Sequence, residues 1–157
     1  MKLATILVPV DGSALAEAAL PKAMELAEAS GARVLLLRAA QASSLPGVDP
    51  TEAQVKVVEE AEAYLARLKE RLTTPGVKVE TSVWYGPAAY AIVEAAGIHK
   101  VDEIVMTTHG RSGLGRLLLG SVAESVLRST TTPILLIRAE GAPLQTASSG
   151  TSTREAA

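Results

Sequence analysis

Four short runs rich in Ile, Val and Leu constrain this chain most: Thr5–Val10, Arg33–Ala39, Glu103–Thr107 and Pro133–Arg138. Each is bounded by turn residues, and none shows the polar alternation of a half-exposed strand. That pattern marks strands covered on both faces, and therefore a parallel sheet. Lys78–Trp84 is a fifth run, this one alternating. The segments between them read as helices. Ser13 is placed to cap a helix that runs to about Ser30 and stops at Gly31, with Pro21 as an internal kink. Thr51-Glu-Ala-Gln54 has the form of a capping box, and Val58, Ala61, Leu65, Leu68 and Leu72 then step by three and four along one face. Pro87 opens a short third helix reaching about Ala96, with Ala88, Ile92 and Ala95 inward. Trp84, Tyr85 and Tyr90 are expected to pack around that crossover. Ser121-Val-Ala-Glu124 forms a second capping box, and its helix is expected to bury Val122, Val126 and Leu127.

The order is βαβαβαβαβ. Right-handed crossovers turn it into an α/β fold, an open doubly wound five-stranded parallel sheet with helices on both faces, Rossmann-like in plan. Residues 1–138 are expected to form this one domain. Beyond them, residues 139–157 are Gly-, Ser-, Thr-, Ala- and Gln-rich and are expected to be a disordered or interacting tail. The stretch Ala40–Pro50 reads as a mobile loop.

Composition narrows the chemistry. A net charge of −2 and four aromatic residues in 157 leave neither a basic surface nor a stacking platform for a nucleic-acid polymer. Zero cysteine excludes disulfides, thiolate metal sites and thiol nucleophiles, and two histidines exclude a histidine-rich metal centre. The opening residues lack a signal cleavage site, and no apolar stretch approaches the ~20 residues that span a bilayer. The expectation is a cytoplasmic protein that does not enter membranes.

In an open α/β sheet, ligands bind beyond the carboxyl ends of the strands where strand order reverses. Pro9-Val10-Asp11-Gly12-Ser13 and Ala39-Ala40 fall at such ends, as does the segment from Met106 to Ser121. That segment holds Gly110, Gly113, Gly115 and Gly120 and then opens a helix, whose N–H groups and dipole favour an anion; Arg111 and Arg116 offer countercharge. Asp11 reads either as turn and capping chemistry or as an acceptor for a purine amino group or ribose hydroxyl. Gly115 to Ser121 follows a Walker A pattern without its lysine, and the G-x-G-x-x-G pattern fails at Leu118, so both standard phosphate motifs are rejected. Asp11, His109 and Ser112 or Ser121 supply the residue types of a hydrolytic triad, but the G-x-S-x-G elbow is absent. His109 reads instead as a loop residue bonded to backbone or phosphate.

Val8-Pro-Val-Asp-Gly-Ser13, Ile104-Val-Met-Thr-Thr-His-Gly-Arg-Ser-Gly113, Leu119-Gly-Ser-Val-Ala-Glu-Ser-Val126 and Thr132-Pro-Ile-Leu-Leu-Ile137 together resemble the universal stress protein family over about residues 3 to 138. The resemblance implies an adenine-nucleotide-binding domain, a stress-response or regulatory role, and a homodimer paired through its last strand. The family's ATP-binding signature is G-x-x-G, nine residues, then G-S/T. Gly110, the nine residues Arg111 to Leu119, and Gly120-Ser121 match it, whereas Thr107 stands at the first glycine. By position, Asp11 meets adenine or ribose, Pro9, Val10 and Ala39 line the base, and Met106 flanks the nucleotide. Gly110, Gly120, Ser121 and Val122 hold phosphates through N–H groups and the serine hydroxyl, with His109 and Arg111 beside them. The Cβ of Thr107 is expected to narrow the ribose or α-phosphate space or to strain the backbone, altering preference between AMP and ATP. The implied ligand is ATP or AMP, with or without magnesium, in a nucleotide-dependent switch. No residue is assigned a catalytic role, and slow ATP hydrolysis is the most enzymatic activity these residues suggest. A dimeric partner-docking protein of the same fold without nucleotide is the alternative, followed by a hydrolase using Asp11, His109 and a serine.

Overall fold

The computed structural model of the chain describes residues 2–44, 46–110 and 119–139. Arg111, Ser112 and the expected tail after Ala139 lie outside them. The chain runs β1 (Thr5–Pro9), α1 (Ala14–Glu17), α2 (Leu20–Ser30), β2 (Arg33–Ala40), α3 (Pro50–Arg71), β3 (Val79–Tyr85), α4 (Ala88–Ile98), β4 (Glu103–Thr107), α5 (Ser121–Ser129) and β5 (Ile134–Ile137). The strands form one parallel sheet in the order β3-β2-β1-β4-β5. Strand order therefore reverses between β1 and β4, on either side of the first strand in the chain.

Alternate residues of each strand leave the sheet on opposite sides, and both sides are covered. Ile6, Val8, Val34, Leu36 and Val105 pack with Ala23, Ala27, Leu65 and Leu68 of α2 and α3. On the other face Leu7, Leu35, Leu37, Ile104 and Met106 pack with Ile92 and Ala95 of α4 and Ala123 and Val126 of α5. The apolar runs are continuous because neither face of the central strands meets water.

The helices depart from the sequence expectation at their starts. The first is two helices, because Pro21 has no N–H to close a turn and so sits in the first turn of a new helix, α2, rather than inside one. Ser13 caps α1 as expected, accepting from Ala16 N–H at 3.2 Å, and α2 ends at Gly31 with φ +74°. The cap of α3 is Asp49, not Thr51. Its carboxylate accepts from Thr51 N–H at 2.7 Å, and Pro50 occupies the first helical position with its φ already set. Pro87 caps α4, which continues to Ile98. Gly120 caps α5, so Ser121 is its first residue rather than its cap. Val122 and Leu127 are exposed, as are Tyr85 and Tyr90, all expected to be packed; α5 buries Ala123 and Val126 instead. Trp84 packs, half-buried, against the α4–α5 side of the core.

The one-turn helix α1 is tied to α3 through its last residue. Glu17 accepts from the Tyr64 hydroxyl at 2.8 Å and pairs with Arg71 at 2.9 Å, while the Arg38 guanidinium lies 5.5 Å from the centre of the Tyr64 ring. Burial, reinforced by the Glu17 carboxylate, pushes the Tyr64 phenol well above its ordinary pKa.

Leu36, fully buried in β2, tests how far the core depends on the two-sided sheet. Leu36→Ala is expected to lower unfolding free energy by about 3 kcal/mol, whereas Val55→Ala on the exposed side of α3 changes it by less than about 0.5 kcal/mol. Urea denaturation of the two variants checks the contrast.

Candidate functional site

At the carboxyl ends of β1 and β4 the sheet opens into a cleft of about 210 Å³ on the α4–α5 side. Its apolar wall is made by Pro9 at the end of β1 and Val10 after it, Leu37 and Ala39 of β2, Ala88 and Ile92 of α4, and Met106 of β4. Its polar groups are Asp11, Thr107, Thr108 and Ser121.

Asp11 is positioned by the turn that follows β1. Gly12, at φ +84°, reverses the chain so that Asp11 Oδ1 accepts from both Ser13 N–H, at 2.9 Å, and Ser13 Oγ–H, at 2.5 Å. The turn reading and the ligand reading of Asp11 are compatible, because a carboxylate accepts several hydrogen bonds and this one both holds Ser13 and lines the cleft. A Cβ on Gly110 would overlap Asp11 Oδ2, so a larger residue there must displace that carboxylate.

Opposite lies the N-terminus of α5. The first intrahelical bond runs from Glu124 N–H to the Gly120 carbonyl at 3.0 Å, so the N–H groups of Ser121, Val122 and Ala123 lie ahead of it. All three residues line the cleft. Gly120 differs from expectation: its N–H donates to the Thr108 carbonyl at 2.7 Å, so that donor is already engaged. A Cβ on Gly120 would stand 3.1 Å from the Thr108 carbonyl oxygen, in an extended conformation any residue adopts; here too glycine provides space rather than an unusual φ.

Thr107 also differs from expectation. It ends β4 in ordinary strand geometry, its φ not positive, so the substitution strains no backbone. The side chain is buried, and its hydroxyl donates to the His109 carbonyl at 2.7 Å. His109 is 3% exposed, does not line the cleft, and places Nδ1 3.1 Å from Thr108 Oγ1. Ten of the twelve residues singled out from sequence therefore surround one cleft; His109 is buried and not part of its lining, and Arg111 lies outside the described residues. Sequence reasoning missed Ala16, Leu37, Thr108 and Ala123, and saw Ala88 and Ile92 only as core. The two-residue period of β2 was a usable signal for Leu37, which shares a face with Ala39.

Compared with known proteins, residues 3–138 match the family model described as universal stress protein family. A universal stress protein of Methanocaldococcus jannaschii, MJ0531, is 35% identical over 138 residues, spanning 85% of this chain and 81% of the relative. A universal stress protein of Thermus aquaticus is 36% identical over 137 residues, spanning 85% of this chain and 98% of that one. Among solved structures, protein MJ0577 superposes with a TM-score of 0.81 at 30% identity, covering 89% of this chain and 99% of its own. A universal stress protein described in complex with cAMP gives 0.69 at 25% identity, covering 88% and 99%.

The closeness of Gly110 to Asp11 sets a measurable coupling. Gly110→Ala is expected to lower stability by about 1–2 kcal/mol, since the new methyl group displaces a carboxylate held by two Ser13 donors. In an Asp11→Ala background the same change is expected to cost less than half as much. A double-mutant cycle by thermal denaturation reads the difference.

Proposed function

The chain belongs to the universal stress protein family, and from that premise we propose that its cleft binds an adenine nucleotide, ATP or AMP, whose occupancy biases conformation or partner choice in the cytoplasm. The observation that carries this reading is the division of one cleft into two chemistries. The apolar wall from Pro9, Leu37, Ala39, Ile92 and Met106 suits the faces of a purine, and Asp11 Oδ2 lies beside it as acceptor for an amino or hydroxyl group. Across the cleft the N–H groups of Ser121, Val122 and Ala123, at the positive end of a nine-residue helix, suit phosphate. The structural relative described with cAMP supports the same ligand class. Among the described residues no group of three or more His, Cys, Asp or Glu side chains is placed to hold a metal. Nucleotide released from the denatured protein, together with calorimetric titration of ATP and AMP, tests the proposal. Gly120→Val is expected to weaken binding at least roughly tenfold by crowding the Thr108 carbonyl and the helix entrance. No released nucleotide and no binding heat at millimolar ATP would overturn the reading.

Pairing of two copies through β5 is part of the same proposal. The carbonyls of Pro133 and Ile137 accept from Ile104 and Thr108 of the β4 side, each at 2.9 Å. By strand alternation the N–H and C=O groups of Ile134 and Leu136 then face away from the sheet. β5 carries four half-buried apolar residues and no charge, whereas the other edge, β3, carries Glu80 paired with Arg33 at 2.9 Å and Lys78 at 2.6 Å. Charge of that kind blocks edge pairing, and its absence favours it. Leu136→Pro removes an outward N–H and is expected to yield monomer in sedimentation equilibrium, while Leu136→Ala, which trims the side chain alone, stays paired.

A further inference from the structure

Four consecutive residues from the end of β4 onward are each fixed by a different contact, three by hydrogen bonds and the fourth by close approach. Thr107 Oγ–H donates to the His109 carbonyl, 2.7 Å. Thr108 N–H donates to the Ile137 carbonyl, 2.9 Å, and the Thr108 carbonyl accepts from Gly120 N–H, 2.7 Å. The His109 ring lies buried against the Thr108 hydroxyl. Gly110 then passes so close to Asp11 that a Cβ there would have to displace the carboxylate. In this series Thr107 is distinctive, because a buried hydroxyl bonds a carbonyl two residues further on and so closes the turn by which the chain leaves the strand. A residue without a hydroxyl leaves the His109 carbonyl without that bond, and the His109–Gly110 peptide loses one of the contacts that fix its orientation.

We infer that Thr107 is a positioning residue for the phosphate side of the cleft: its hydroxyl, through the His109 carbonyl, holds the Gly110 main chain and the Thr108 carbonyl in register with the α5 N-terminus before any ligand arrives. The inference rests on the adenine-nucleotide reading of the cleft. Its consequence is selective. The apolar wall is built on β1, β2 and α4 with Met106 of β4, and the Thr107 hydroxyl is bonded instead to the His109 carbonyl, on the segment that leads to Gly110. Preorganisation of the phosphate side adds affinity for phosphorylated ligands and none for the bare nucleoside.

The test compares adenosine, AMP and ATP on the intact chain by calorimetry, with Thr107→Val as an isosteric loss of the hydroxyl and Thr107→Ser as its retention. Thr107→Val is expected to weaken AMP and ATP by roughly three- to tenfold while leaving adenosine within about twofold, and Thr107→Ser is expected to bind all three as the parent does. Equal losses for adenosine and the nucleotides, no loss for any, or a Thr107→Ser variant as weak as Thr107→Val would each overturn the role of the hydroxyl. A parent protein that binds none of the three overturns the nucleotide reading itself, which keeps the two failures apart.

Discussion

Burial of β1 on both faces is the constraint on which the rest of the molecule depends. Ile6, Leu7 and Val8 are wholly inaccessible, and they become so only with β2 on one side, β4 on the other, and helices above and below. A parallel strand cannot return to its neighbour without a crossover, so each of the two neighbours is reached through helices. Chain order and right-handed crossovers then send the early connections to the α2–α3 face and the late ones to the α4–α5 face. The reversal of direction beside β1 leaves the ends of β1 and β4 splayed, and the cleft follows from that topology. Even the entry to β1 is fixed: Asp102, in the turn before β4, accepts from the N–H groups of Ala4 and Thr5 at 2.8 and 2.9 Å.

At the other end of the same strands Thr108 joins two features that sequence separates. Its N–H completes the ladder to β5 and its carbonyl holds the cap of α5. These groups lie in successive peptide planes hinged at one Cα, so the helix terminus that lines the cleft and the edge strand are both tethered to a single residue.

What the sequence disclosed was what depends on burial. All five strands lie within a residue of their expected ends: four because a strand covered on both sides is apolar throughout, and β3, at the sheet edge, because its alternation marks it. The site residues after β1 and within the glycine-rich segment were legible too, since their spacing places them at strand ends. Helix starts were not. A Ser or Thr three residues before Glu or Gln satisfies the capping pattern at Thr51 and Ser121 alike, yet in both places the preceding residues compete: Asp49 with Pro50 begins α3 earlier, and Gly120, held extended by Thr108, takes the cap of α5. The exposure of Val122, Leu127 and Tyr90 was equally hidden, because helical spacing gives the angle between side chains and not which angle meets the core, and that of Tyr85 because the pattern does not say that β3 is an edge. Nor does a pattern of glycines disclose that Thr107, standing where a glycine is expected, finds a partner in the His109 carbonyl.

The tie between Glu17 and α3 bears on how stiff the cleft can be. A helix of four residues has too few internal bonds to hold its own shape in water. Ala16, in that helix, is nevertheless part of the cleft wall, while no residue of the 22-residue α3 is. Through Tyr64 and Arg71 the longest helix of the domain thus braces a wall that it never touches. Sequence drift along α3 would be felt at the ligand site as a change in compliance rather than in contacts.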